Sequence, residues 1–241
     1  MRPEGEGTVQ TALVDERRSE IPRWQIGAIL AGFPALYLVN SFTPWSRALF
    51  GRHDYGTAWF VFWGTALVLW WGSVTAAGVV MRRHGWALRD VGIALDRRRR
   101  ALMLGCAIAT GLGAVVVRQS AGRVHALARF VDAWSVSAKP HTTGQRLMWV
   151  GIGVVSAVFC EEFVYRGFGL HALRSRGMRT VTAAALASLA WIFVHGLAGV
   201  YAFPSYAFLA AILAGVVVWT DSLVPTLVVH ALIHVVVILG S

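Results

Sequence analysis

The sequence predicts an all-α fold, a polytopic bundle of about seven transmembrane helices, or eight if one connector hides a further span. Composition predicts it first. Of 241 residues, 56% are hydrophobic and 14% charged, against about 25% charged in an ordinary soluble domain. A single soluble core has no room for so much apolar sequence. Patterning predicts it second. Apolar runs fall near residues 24–43, 56–81, 101–117, 146–170, 180–198, 201–220 and 223–240, and a span needs about 20 mostly apolar residues at about 1.5 Å rise each. The third observation is where the charge sits. The formal charge is +10, carried almost wholly by Arg in the short segments between runs. That pattern fits topology signals and contact with anionic lipid, and it argues against a nucleic-acid partner.

Residues 1–23 are polar, mixed in charge and poor in large apolar residues. They read as a disordered cytoplasmic tail. No signal peptide is expected, because the first apolar run begins near Trp24, behind Arg17, Arg18 and Arg23. Residues 24–144 read as N-terminal transmembrane and interfacial helices. Segment 82–100 holds Arg82, Arg83, Arg89 and the Arg run 97–100. It is therefore placed in the cytoplasm, with the N-terminus on the same side and the C-terminus outside. Within it, residues 84–96 mix Trp86, Leu88, Val91, Ile93 and Leu95 with Arg89, Asp90 and Asp96, the pattern of a helix lying on the membrane surface. Residues 119–144, with His125, Leu127, Phe130, Val131 and Trp134 at roughly helical spacing, read as a second surface helix. Cys106 and Cys160 both lie in apolar runs, which excludes a disulfide framework and a Cys-rich zinc site.

Residues 145–241 hold the chemistry. An ionisable group at the centre of a span costs at least about 2.5–3.5 kcal/mol. The first three runs have essentially none, whereas the last four contain Glu161, Glu162, Arg166, His171, His195, His230 and His234, with Asp221 at a span end. Glu162 and Arg166 are spaced to pair on one helix face in the favoured order. Neighbouring α-helical residues point about 100° apart, so Glu161 is expected to point elsewhere, free to face a cavity as a general base. The competing interpretation is a structural ion pair with Glu161 reaching the interface. His195 sits late in its run, where a lone His is more often a packing residue than a catalyst. His230 and His234 project from one face and suit a shared ligand, either a metal or a developing oxyanion. The same spacing also serves as helix–helix glue. At about 1.5 Å per residue, Glu161, His195, His230 and His234 all fall roughly 10–25 Å from the cytoplasmic ends of their spans. They can therefore meet in the inner half of a bilayer.

Three motifs in order carry a resemblance. Glu161-Glu162-x-x-x-Arg166 comes first, then His195 with Trp191 four residues before it, then His230 with His234 four residues after it. Together, over about residues 146–240, they resemble the CAAX-protease and bacteriocin-processing family of intramembrane proteases. That family is marked by EExxxR, FxxxH and HxxxN on successive membrane helices. Trp191 stands where Phe is usual, and His234 where Asn is common. The stretch from Gly85 to Gly92 looks like a short segment often seen upstream in the family. The resemblance implies an endopeptidase acting near the membrane on a membrane-anchored protein or peptide. It implies that Glu161 activates water with help from His195, that His230 and His234 stabilise the oxyanion, and that Glu162 and Arg166 hold the site in shape.

Motif absences agree. There is no GxSxG and no HExxH, so neither a serine hydrolase elbow nor a zincin helix is expected. No metal or other cofactor is expected. Zinc is the alternative that the donor set admits, with Glu161, His195 and His230 as its ligands. Three other functions compete. A proton- or ion-coupled transporter would use the carboxylates and imidazoles as a relay, but no internal repeat is visible. A haem carrier would use His195 with His230 or His234 and leaves the Glu-Glu-Arg set without a role. A non-catalytic immunity or scaffold relative would have no need of the full Glu and His set. The Arg-, Ala- and Gly-rich composition with one Lys fits a bacterial source with a GC-rich genome, hence a place in the inner membrane.

Overall fold

The computed structural model describes residues 19–42, 44–93, 140–195 and 203–239. Among these residues the chain is helical and has no strand. In chain order the helices are α1 (Arg23–Phe42), α2 (Pro44–Arg52), α3 (Tyr55–Arg83), α4 (Thr143–Ser175), α5 (Thr180–Val194), α6 (Phe203–Thr220) and α7 (Val224–Leu239). The apolar run at 101–117 and nearly all of the surface helix expected over 119–144 lie outside the described residues, as does most of the N-terminal tail.

Two helices, α3 with 29 residues and α4 with 33, are long and apolar enough to cross a membrane. The others are shorter apolar helices or lie outside that criterion, so a count of seven spans does not follow from the described residues. How α3 is exposed argues for lipid. Only 22% of its apolar window is buried, whereas the core helix of a soluble protein hides its apolar face. Val68, Leu147, Val155, Val181 and Trp219 are each more than 60% exposed, which in water would form an apolar coat that no other described residue covers.

Local chemistry sets the helix ends. Asp54 caps α3, accepting the Thr57 N–H at 3.0 Å. Hydrogen bonding from Thr57 holds its carboxyl below the usual value. The cap is therefore fully formed above the unfolded carboxyl's pKa and weakens as pH falls through the folded one. Thr142 and Gln145 form a reciprocal capping box at the start of α4. Helix α4 thus begins earlier than the apolar run does and also ends later, stopping before Gly177 at φ +78°. Helix α5 is shorter than its run, because the chain leaves the helix at His195, its C-cap.

The surface helix expected over 84–96 is not there in the described part, which ends at residue 93. After a turn at His84 and Gly85 the chain makes a single 3₁₀ turn, Leu88–Val91. Val91 is fully buried, and Gly92 ends the turn at φ +80°. Its carbonyl accepts the Leu223 N–H at 2.8 Å. Val91 plugs the core between α4 and the turn before α7, whereas Leu88 stays exposed. The segment also packs close to α4, since a Cβ on Gly167 would lie 3.3 Å from the Val91 carbonyl oxygen.

Helix α4 is the spine of the bundle. It packs against α3 and α7, α5 packs against α1, α6 and the second half of α4, and α1 packs against α3. Its hydrogen bonding is not uniform. Gly151–Ala157 and Glu162–Gly169 are π-helical, separated by an α turn at Val158–Glu161. Glycines 151, 153, 167 and 169 fall in these stretches and weaken the competing α ladder. Gly169 also permits close approach of α1, because a Cβ there would sit 2.6 Å from Leu30 Cδ2. Gly169→Ala is expected to destabilise the bundle by about 1–3 kcal/mol through overpacking. The melting temperature in detergent tests this, and an unchanged value would mean that Leu30 yields freely.

Candidate active site

The second π stretch of α4 presents the acidic pair. Glu161 closes the short α turn and Glu162 opens the π turn. Both are buried, at 3% and 0% exposure, together with Arg166 at 1% and His230 at 2%. Four ionisable groups this deep persist only when they meet each other.

Here they do. Glu162 Oε1 lies 3.3 Å from Arg166 Nη1, as the i, i+4 spacing predicts. The same oxygen is 2.8 Å from His230 Nδ1. A carboxylate paired with Arg accepts, so Nδ1–H donates. The other ring nitrogen, Nε2, faces Glu161 Oε2 at 3.9 Å. The two neighbouring glutamates thus approach opposite sides of one imidazole. The expectation that Glu161 points elsewhere is corrected: two long side chains that leave the helix in different directions still reach the two sides of one ring on α7.

Glu161 is not free either. Its Oε2 accepts the indole N–H of Trp191 at 2.6 Å. The face of that indole carries Arg166, whose guanidinium carbon is 4.1 Å from the ring centroid. No aligned hydrogen bond reaches Arg166 Nε, Nη1 or Nη2. Its charge is met by the Glu162 carboxylate and the π face instead. Trp191 also makes edge contacts with His195, His230 and Tyr206, at centroid distances of 4.7, 5.7 and 5.9 Å.

His195 comes from the end of α5. Its Nδ1 lies 3.1 Å from the Trp191 carbonyl oxygen. A carbonyl only accepts, so the proton sits on Nδ1 and Nε2 is left as the acceptor nitrogen of the neutral ring. The Tyr206 ring of α6 lies tilted against it, with ring centroids 4.4 Å apart. His234 lies one turn beyond His230 on α7, half-buried, with ring centroids 4.9 Å apart. All six residues singled out for the site therefore belong to one cluster built by α4, α5 and α7. His171 does not join it. It lines a separate cleft of about 350 Å³ with Trp86, Asp90, Arg174 and Ser175.

Sequence reasoning missed two contributors, Trp191 and Tyr206. A signal for the first was present. A buried indole N–H needs a hydrogen-bond partner, and in an apolar bundle the acceptors are few. Tyr206 gave no signal beyond its place in an apolar run.

Among the described residues, no three His, Cys, Asp or Glu side chains are grouped so as to hold a metal ion. The cluster's chemical capacity is that of a carboxylate beside imidazoles in a site shielded from bulk water. It can accept a proton from water and donate hydrogen bonds to a developing negative charge.

The described residues form an all-helical bundle with apolar outer faces around a buried carboxylate–imidazole cluster. Residues 143–236 match the family described as type II CAAX prenyl endopeptidase Rce1-like. All three motifs fall inside that stretch, and the resemblance to the CAAX-protease family holds. The family match and the apolar helices together point to an integral membrane protein. No curated protein and no solved structure matched the chain.

Proposed function

We propose that this chain is a glutamate-type intramembrane endopeptidase that hydrolyses a peptide bond of a membrane-anchored protein or peptide. The observation that carries the proposal is the convergence of Glu161, Glu162 and Arg166 of α4 with Trp191 of α5 and His230 of α7 in one buried cluster. With Oε2 held by the indole, Glu161 Oε1 is the carboxylate oxygen left to take a proton from water. His195 Nε2 accepts a second hydrogen bond from that water and aims it. His234 donates to the tetrahedral oxyanion, the step at which such donors contribute most. His230, whose Nδ1–H is given to Glu162, joins it when its Nε2 also carries a proton. Glu162 and Arg166 hold the His230 ring and keep the local charge balanced. Glu161 afterwards returns the proton to the leaving amine. The mechanism uses no metal.

The family's description names prenylated CAAX tails as substrates. The cluster itself requires only a substrate segment that can enter the bundle from the membrane. The bacterial inner membrane, with the N-terminus in the cytoplasm, is the proposed location.

The test is cleavage of a prenylated CAAX reporter and a membrane-anchored protein tail. Each is co-expressed with wild type, Glu161→Gln and His195→Ala, with and without a chelator. We expect His195→Ala to lower the rate about 10²–10⁴-fold, the usual contribution of a positioned acid–base group, and chelator to have no effect. Loss on chelation with recovery on zinc would move these residues into metal-ligand roles. Cleavage surviving both substitutions would sink the protease reading and favour an ion relay.

A further inference from the structure

We infer that Trp191 is a positioning residue that does two separable things: its indole N–H fixes the rotamer of Glu161, and its ring face seats the Arg166 guanidinium. The inference rests on the proposed protease site for its kinetic consequence but on geometry alone for its structural one. The observations are independent of each other. The N–H lies 2.6 Å from Glu161 Oε2, at the short end for a charge-assisted bond. The guanidinium sits 4.1 Å from the ring centroid, and all three of its nitrogens lack an aligned hydrogen bond. The ring itself is 1% exposed, so neither contact competes with bulk solvent.

A Glu side chain has three rotatable bonds, and one ionic partner on a neighbouring ring 3.9 Å away does not choose among its rotamers. The indole donor does, because it is held by a rigid ring wedged between α4, α5 and α7. It occupies one carboxylate oxygen and leaves the other to meet water. The ring face acts on the other carboxylate indirectly. Seated on it, Arg166 stays within 3.3 Å of Glu162, and Glu162 in turn holds the Nδ1 side of His230 at 2.8 Å. One side chain therefore sets the spacing of the proposed base and of the imidazole between the two carboxylates. A phenylalanine at this position would keep the second contact in weaker form and lose the first entirely.

Trp191→Phe and Trp191→Leu separate the two roles. In detergent, Trp191→Phe is expected to lower the melting temperature by about 4–8 °C, the effect of deleting a hydrogen bond to a charged group in a chain of this size. In a Glu161→Leu background the same substitution should shift it by less than about 2 °C, because the acceptor is already gone. Trp191→Leu should lower it further in both backgrounds, since it also unseats Arg166. The ultraviolet resonance Raman difference between wild type and Trp191→Phe isolates this indole among the 11 tryptophans. It should show a strongly hydrogen-bonded N–H that is lost in Glu161→Leu. With a quenched prenylated CAAX peptide as probe, Trp191→Phe should reduce kcat about 10–100-fold, as a small misplacement of a reacting group does, with KM unchanged.

Equal destabilisation by Trp191→Phe in both backgrounds, or a weakly bonded indole in the Raman difference, overturns the inference. Neither readout needs cleavage. If wild type fails to cut the probe, the thermal and Raman results still decide the role of Trp191, and only the protease proposal falls.

Discussion

Glu161→Gln is expected to abolish cleavage and leave the fold intact. Glutamine matches glutamate in shape, and its amide oxygen still accepts the Trp191 N–H that Glu161 Oε2 now receives at 2.6 Å. What it cannot do is take a proton from water. The expected loss is about 10²–10⁴-fold, the range for removing a positioned general base. Glu161→Ala should be equally inactive but less stable. It leaves a buried indole N–H with no acceptor, and an orphaned donor costs about 1–3 kcal/mol. Treating Glu161 as unpaired predicts the opposite, a harmless truncation. Melting temperatures of the two variants beside their cleavage rates separate the cases. A Gln variant that keeps more than about a tenth of wild-type activity would remove Glu161 from the role of base.

That contrast shows how far the sequence carries. Residue types and order were legible because burying charge in apolar sequence is costly. Such residues are rare, and their clustering in the last third of the chain needed no structure to see. The Glu162–Arg166 pair was legible because four-residue spacing survives most helical geometries. The convergence of Glu161 on the same imidazole was not, because it depends on how two long side chains reach a ring on another helix, and neither that reach nor the π turn after Glu161 is announced by periodicity. The glycines on either side of the pair are consistent with such a turn, but glycine also marks close packing, as Gly169 against Leu30 shows. Trp191 stood out as a departure from the usual Phe, yet which acceptor its N–H finds is a tertiary fact. The 3₁₀ turn at Leu88–Val91 misled for a related reason. Mixed apolar and charged residues fit an interfacial helix and a short plug equally well, and the choice rests with a Gly at positive φ and a backbone bond to Leu223.

Arg166→Met is expected to be the most destabilising of the substitutions considered, at about 3–5 kcal/mol, because it strands a buried carboxylate. Methionine preserves much of the volume, so the cost is electrostatic and not a cavity. Glu162, fully buried, is left with neutral or titratable partners, His230 Nδ1 at 2.8 Å and the Thr226 hydroxyl. The Trp191 face loses its cation as well. In a chain of this size, the fall in melting temperature should be roughly 6–20 °C. The double variant Arg166→Met with Glu162→Gln distinguishes a charge effect from a packing effect. Replacing both partners of a buried pair by neutral groups is often close to neutral, and the Gln oxygen can still accept from His230. Stability should therefore return in the double variant. Activity should return only in part, since a neutral Gln holds the imidazole less firmly than a carboxylate does. If Arg166→Met alone melts like wild type, the ion pair is not what offsets the buried Glu162 charge, and the guanidinium must act elsewhere. If the double variant stays as unstable as the single one, the loss is one of packing over Trp191 and not of charge.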